Sequence, residues 1–97
     1  MRGLDELIHQ PARLRIMSAL ASLGPREQVD FTYLKGKLDL TDGNLGAHLR
    51  ALEEARYIVV EKAFVERRPK TFVAASEAGR KAFAGHVAAL QSIIKAS

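Results

Sequence analysis

The stretch that decides the fold is residues 41–73, TDGNLGAHLRALEEARYIVVEKAFVERRPKTFV. It opens on a helix start. Thr41 or Asp42 can cap a helix, and an acid there suits the positive end of the helix dipole. On a helical wheel Leu45, Leu49 and Leu52 fall on one side, as a core-facing stripe does. Tyr57-Ile58-Val59-Val60 is rich in β-formers, as is Thr71-Phe72-Val73. Between them Glu66-Arg67-Arg68-Pro69-Lys70 is polar and contains a proline, which predicts a hairpin tip. Helix, strand, basic turn and strand, in that order, can lay a helix in a DNA major groove with a β-hairpin beside it.

The segments upstream read as support for this unit. Leu4, Leu7 and Ile8 are spaced as one helical face. Pro11 fits the first turn of a new helix, where its missing N–H costs nothing. Leu14, Met17 and Leu20 continue at helical spacing, as do Ile16, Leu20 and Leu23, until Gly24-Pro25 ends the run. Val29-Asp30-Phe31 reads as a brief strand or an extended linker. Thr32 is expected to cap a short helix through Leu38, with Leu34 and Leu38 turned inward. The break at 39–43 then joins two short helices as a helix-turn-helix does. Downstream, Ser76 is expected to cap a last long helix from Glu77 to about Lys95. No internal repeat, low-complexity segment or interdomain linker interrupts the pattern.

Ninety-seven residues make one domain with one core. The chain has no cysteine, which excludes disulfides, thiolate nucleophiles and Cys-based zinc sites. The opening MRGLDELIHQ carries acids early and lacks a long apolar run, unlike a signal peptide. No stretch approaches the roughly 20 apolar residues that span a bilayer. A soluble, cytoplasmic protein without membrane contact is expected. His9, His48 and His86 lie far apart and offer no metal-ligand spacing. No nucleophile–base set or phosphate-cradling loop is present either, so neither an enzyme nor a cofactor is expected. Net charge is +4, but residues 1–40 and 41–75 each carry six basic and five acidic side chains. Only Arg67-Arg68-Pro69-Lys70 stands out. Binding to DNA would rest on a few placed cations rather than on a broad basic surface.

The wheel side opposite the leucines holds Gly43, Asn44, Ala47, Arg50 and Ala51, with Glu54 one turn on and His48 on the flank. Small residues let a helix approach a groove closely. Asn pairs with adenine and Arg with guanine in bidentate fashion, each contributing roughly 1–3 kcal/mol of discrimination. A small polar face also suits plain contact with water, and Asn near a helix start often serves backbone N–H groups. Arg67 and Arg68 have two readings as well. They suit phosphates or a narrow minor groove, or they are solvated charges that discourage edge-to-edge pairing.

Several segments resemble the small winged-helix transcription regulators related to the MarR and ArsR families. His9-Gln10-Pro11-Ala12-Arg13-Leu14-Arg15-Ile16-Met17 resembles the ArsR-type opening, and Phe31-Thr32-Tyr33-Leu34 the start of the helix before the turn. The run from Asp42 to Glu53, DGNLGAHLRALE, resembles the recognition helix of single-domain members. Tyr57-Ile58 and Arg67-Arg68-Pro69-Lys70-Thr71 resemble their wing. The resemblance implies an α+β, mostly helical fold: a winged helix-turn-helix with a two-stranded wing and a long C-terminal helix over 76–97. It also implies a homodimer bound to an inverted-repeat operator in double-stranded DNA. The recognition helix, about 42–54, would contact the major groove through Thr41, Asn44, Ala47, His48, Arg50 and Ala51. The wing, about 64–71, would contact backbone or minor groove through Arg67, Arg68 and Lys70. One departure is marked. Arg56 stands where such proteins usually have Gly, so it must either take a left-handed conformation at some cost or force another turn.

In the last helix Phe83, Val87, Leu90 and Ile94 form an apolar stripe, widened by Ala82, Ala89 and Ile93. A small core can cover only part of it. Pairing with the same helix of a second copy would cover the rest. Leu4, Leu7, Ile8, Phe83, Val87, Leu90, Ile93 and Ile94 are therefore the expected dimer residues. The other arrangement has the helix folded back on its own domain. A protein-interaction module that never touches DNA is the alternative function, favoured by Glu53, Glu54, Glu61 and Glu66 near the reading surface. A small-molecule effector is left unnamed by the sequence.

Overall fold

Residues 3–25 and 27–96 are described by a computed structural model. Their elements follow in the order α1 (Glu6–His9), α2 (Pro11–Ala21), β1 (Val29–Asp30), α3 (Phe31–Leu38), α4 (Asp42–Glu54), β2 (Ile58–Val65), β3 (Arg68–Ala75) and α5 (Glu77–Ala96). The strands form one antiparallel sheet in the order β1-β3-β2. Val29 and Asp30 are thus a strand, paired with Val73 and Phe72. This is a mostly helical α+β winged helix-turn-helix, with β2 and β3 as the wing and α5 as a long closing helix.

Helix starts follow local chemistry. Pro11 occupies the first turn of α2, and the Gln10 side chain accepts from the Arg13 N–H. Thr41 Oγ1 accepts from the Asn44 N–H at 3.1 Å, which opens α4. Ser76 Oγ does the same for Gly79 at the start of α5. At α3 the expected cap was two residues too late. Asp30, not Thr32, accepts from the Tyr33 N–H at 2.7 Å, and Thr32 lies inside the helix. Asp is the stronger cap, and the end of β1 already holds Asp30 in the extended conformation that a cap requires.

The core is the expected set of stripes brought together. Ile16, Met17 and Leu20 of α2, Leu34 of α3, Leu45 and Leu52 of α4, and Val73 of β3 are fully buried. Leu38, Leu49, Ile58 and Ala75 complete it. Ile8 is also fully buried here. That corrects its assignment to a dimer face: α1 packs against α2 and seals the core with Ile8, so this side chain has no surface to offer.

The joint between α4 and the wing is tightly specified. Arg56 takes the left-handed conformation at φ 64. The Tyr57 N–H reaches back to the Leu52 carbonyl and the Arg56 N–H to the Glu53 carbonyl, the paired bonds of a Schellman end. A glycine would adopt this φ freely; arginine meets a cost of about 1 kcal/mol. α5 docks on the same joint. Ser76 donates its hydroxyl to the Arg56 carbonyl and its N–H to the Tyr57 carbonyl. Gly79 is required there, because a Cβ on it would fall 1.9 Å from the Tyr57 carbonyl oxygen.

Two further knots hold the helices. Asp5 caps α1 through the Ile8 N–H, accepts the Tyr57 hydroxyl, and donates its own N–H to Nδ1 of the buried His86. Arg80 of α5 donates to the carbonyls of Ala21, Leu23 and Gly24, where α2 ends and its orphan carbonyls need partners.

Candidate nucleic-acid interface

α4 presents a bare face. Asp42, Gly43, Asn44, Ala47, Arg50, Glu53 and Glu54 are exposed along it, while Leu45, Leu49 and Leu52 anchor the other side. Because Thr41 supplies the cap, the Asn44 side chain is not used by its own helix start and has no hydrogen bond among the described residues. Nothing fills the space around a Cβ built on Gly43. Arg50 lies back along the helix, its Nη1 3.6 Å from where a Gly46 Cβ would stand. Ala51 is half-buried, at the rim of the face. Lys35 of α3 bridges to Asp42 at 2.8 Å and ties the two helices of the turn together.

His48 is half-buried on the flank. Burial first, and the Arg13 charge second, hold its imidazole pKa below the ordinary 6.5. At neutral pH it is therefore an uncharged ring, able to donate from one nitrogen and accept at the other.

The wing differs from its expected form at the tip. The turn is only two residues, Glu66 (φ 51) and Arg67 (φ 68), closed by the Val65–Arg68 pair. Positive φ at both central positions is the type I′ geometry whose twist suits a hairpin. Arg68, Pro69 and Lys70 belong to β3. Pro69 pairs with Phe64 one step from the turn, at a position whose N–H points away from β2. β1 reaches only Phe72 and Val73, so no strand asks for that N–H, and a proline is tolerated. Arg67 and Arg68 stand exposed at the far end. Lys70 does not join them. It sits back along β3, 3.8 Å from Asp30 at the start of α3.

The structure thus brings Thr41, Asn44, Ala47 and Arg50 together on α4 and sets Arg67 and Arg68 at the end of the wing. The acids Glu53, Glu54, Glu61 and Glu66 are exposed nearby. Sequence reasoning passed over Phe64, which is 79% exposed on β2; its apolar character at a wing-tip position was the available signal. Among the described residues no group of three His, Asp or Glu side chains is placed to hold a metal ion. No helix among them is long and apolar enough to cross a membrane.

Residues 12–94 match the model of the winged helix DNA-binding domain. The chain belongs to that family. It is 37% identical over 82 residues to the uncharacterized protein MJ0432 of Methanocaldococcus jannaschii, covering 84% of this chain and 86% of that protein. The structure of a transcriptional regulator homologue from Pyrococcus horikoshii superposes with a TM-score of 0.85 at 30% identity, covering 95% of this chain and 88% of that one. The putative transcriptional regulator TA0346 of Thermoplasma acidophilum shares the fold, with a TM-score of 0.73 at 20% identity over 94% of this chain and 90% of that one. The protein is a small winged-helix protein of the DNA-binding, transcription-regulating type.

Proposed function

We propose that the protein is a homodimeric transcription regulator that reads an inverted-repeat operator. The α4 face carries this reading: Asn44 and Arg50 stand exposed among small residues, with Arg67 and Arg68 at the end of the adjoining wing. Asn44 and Arg50 address base edges in the major groove, His48 adds a neutral donor, and Thr41, Ala47 and Ala51 line the approach. Arg67 and Arg68 hold backbone or minor groove, while Lys70 contributes from farther back. The second copy docks on α5. Of its twenty residues only Gly79 and His86 are fully buried, and Ile94 is 72% exposed. Leu4, Leu7, Phe83, Val87, Leu90 and Ile93, all half-buried, extend this surface.

In vitro selection of duplexes by the purified protein tests the reading, with its mass measured in solution. A paired half-site with centres about one or two helical turns apart is expected, with affinity falling steeply as salt rises. Failure to enrich any sequence would reject it. The exposed acids beside the site favour a second reading, a module that docks on a basic protein surface. A partner complex indifferent to Arg67→Ala and Arg68→Ala would establish that reading instead.

A further inference from the structure

Phe64 is more exposed than any other large apolar side chain among the described residues. Strand alternation puts it on the sheet face that carries Ile58, and its cross-strand partner Pro69 shares that face with Val73. Ile58 and Val73 are in the core. Phe64 lies four residues beyond Val60, the partner of Val73, or about 13 Å farther along the strand, so the Phe64–Pro69 pair overhangs the core as an apolar ridge. Two cations bracket it. Lys62 precedes it by two residues on the same face, and Arg67 stands in the turn just beyond. Neither has an ion-pair partner among the described residues.

An aromatic ring backed by a proline, with a cation on either side, suits a surface that is apolar in the middle and anionic at both edges. The minor groove of DNA offers this between its two phosphate rows, where sugar rings form apolar walls and an opened base step exposes apolar base faces. Proteins that bend DNA from the minor groove push Phe, Leu, Ile, Met or Pro side chains between base steps. We propose that Phe64, backed by Pro69, is an apolar wedge that enters the minor groove beside the half-site, partly unstacks one base step and bends the duplex. Lys62 and Arg67 hold the flanking phosphates. The step entered is a flexible pyrimidine–purine one, where unstacking costs least. The wedge rests on the DNA-binding reading above and adds a deformation to it.

The test uses a duplex selected by the wild-type protein, with 2-aminopurine placed at successive positions under the wing and dyes at its ends for energy transfer. Binding should brighten the probe at one step and shorten the end-to-end distance. Phe64→Ala should abolish both signals and weaken binding about tenfold, whereas Phe64→Leu should keep them. The side chain is exposed, so both variants should fold, and circular dichroism checks this. A Phe64→Ala protein that binds and bends as the wild type does would overturn the wedge. So would a change in mass in solution with the DNA response intact, which would make Phe64 a protein contact. If the wild-type protein selects no duplex at all, the DNA-binding reading fails first; if only the wedge fails, the wild-type protein still selects its duplex and Phe64→Ala binds it as tightly as the wild type does.

Discussion

Asp5 illustrates how one residue can join three parts of the fold. Its carboxylate caps α1 and accepts the Tyr57 hydroxyl at 2.5 Å, while its N–H meets His86. The Asp5 hydrogen bond, then burial, then the Asp5 charge push the Tyr57 phenol above its ordinary value of 10. The folded state therefore holds this proton more tightly than the unfolded chain. The stability it brings is full below pH 10 and is lost as pH rises through the folded value. Tyr57→Phe should lower stability by about 1 kcal/mol at neutral pH and flatten the loss above pH 10, measured by urea unfolding across that range. Arg56 gives a second prediction. Arg56→Gly relieves the left-handed strain and should raise stability by up to about 1 kcal/mol, or several degrees in Tm, in a thermal melt. The Arg56 problem was legible through the family resemblance, which puts a glycine at this helix end. The Asp5 knot was not. Its partners are 52 and 81 residues away, and nothing local announces them.

At the scale of elements, hydrophobic period gave the helices and their inward faces, because each leucine stripe has a single side to bury. Endpoints set by competing side chains were harder. Asp30 displaced Thr32 as a cap because a strand too short to be certain from sequence fixed its backbone. The wing tip was misplaced for a similar reason. Pro69 reads as turn, yet it sits in β3 where the neighbouring edge is empty, and two non-glycine residues make the turn. Glu66→Asn should therefore stabilise the wing, since Asn accepts the first position of a type I′ turn far more readily. It also removes a negative charge beside Arg67 and Arg68. Slower amide exchange in β2 and β3 and tighter DNA binding at low salt are the expected outcomes. Unchanged exchange would mean that the turn already bears its conformation without penalty.

Over the whole molecule, charge decides little and shape decides more. A net charge of +4, not concentrated in any one third of the chain, sets up no broad field, so affinity for DNA must come from a few contacts held in place. The fold extends over 53 × 25 × 21 Å, about twice as long in one direction as in the others. Dimerisation through α5 was an expectation of the sequence, and the exposure of Ile94 keeps it open to direct test. Ile94→Glu lies outside the core, so it should leave the fold intact. Light scattering should show the mass falling from two chains to one, and operator affinity should drop on the order of a hundredfold as one half-site is released. A variant that stays dimeric would move the interface elsewhere.

The missing side chain at Gly79 has a mechanical consequence. With the α5 backbone seated on the Tyr57 carbonyl and Ser76 bonded to both Arg56 and Tyr57, the root of α5 cannot swivel independently of α4 and the wing. The helix is a tiller fixed to the rudder: a tilt imposed at its root is passed to the exposed face of α4.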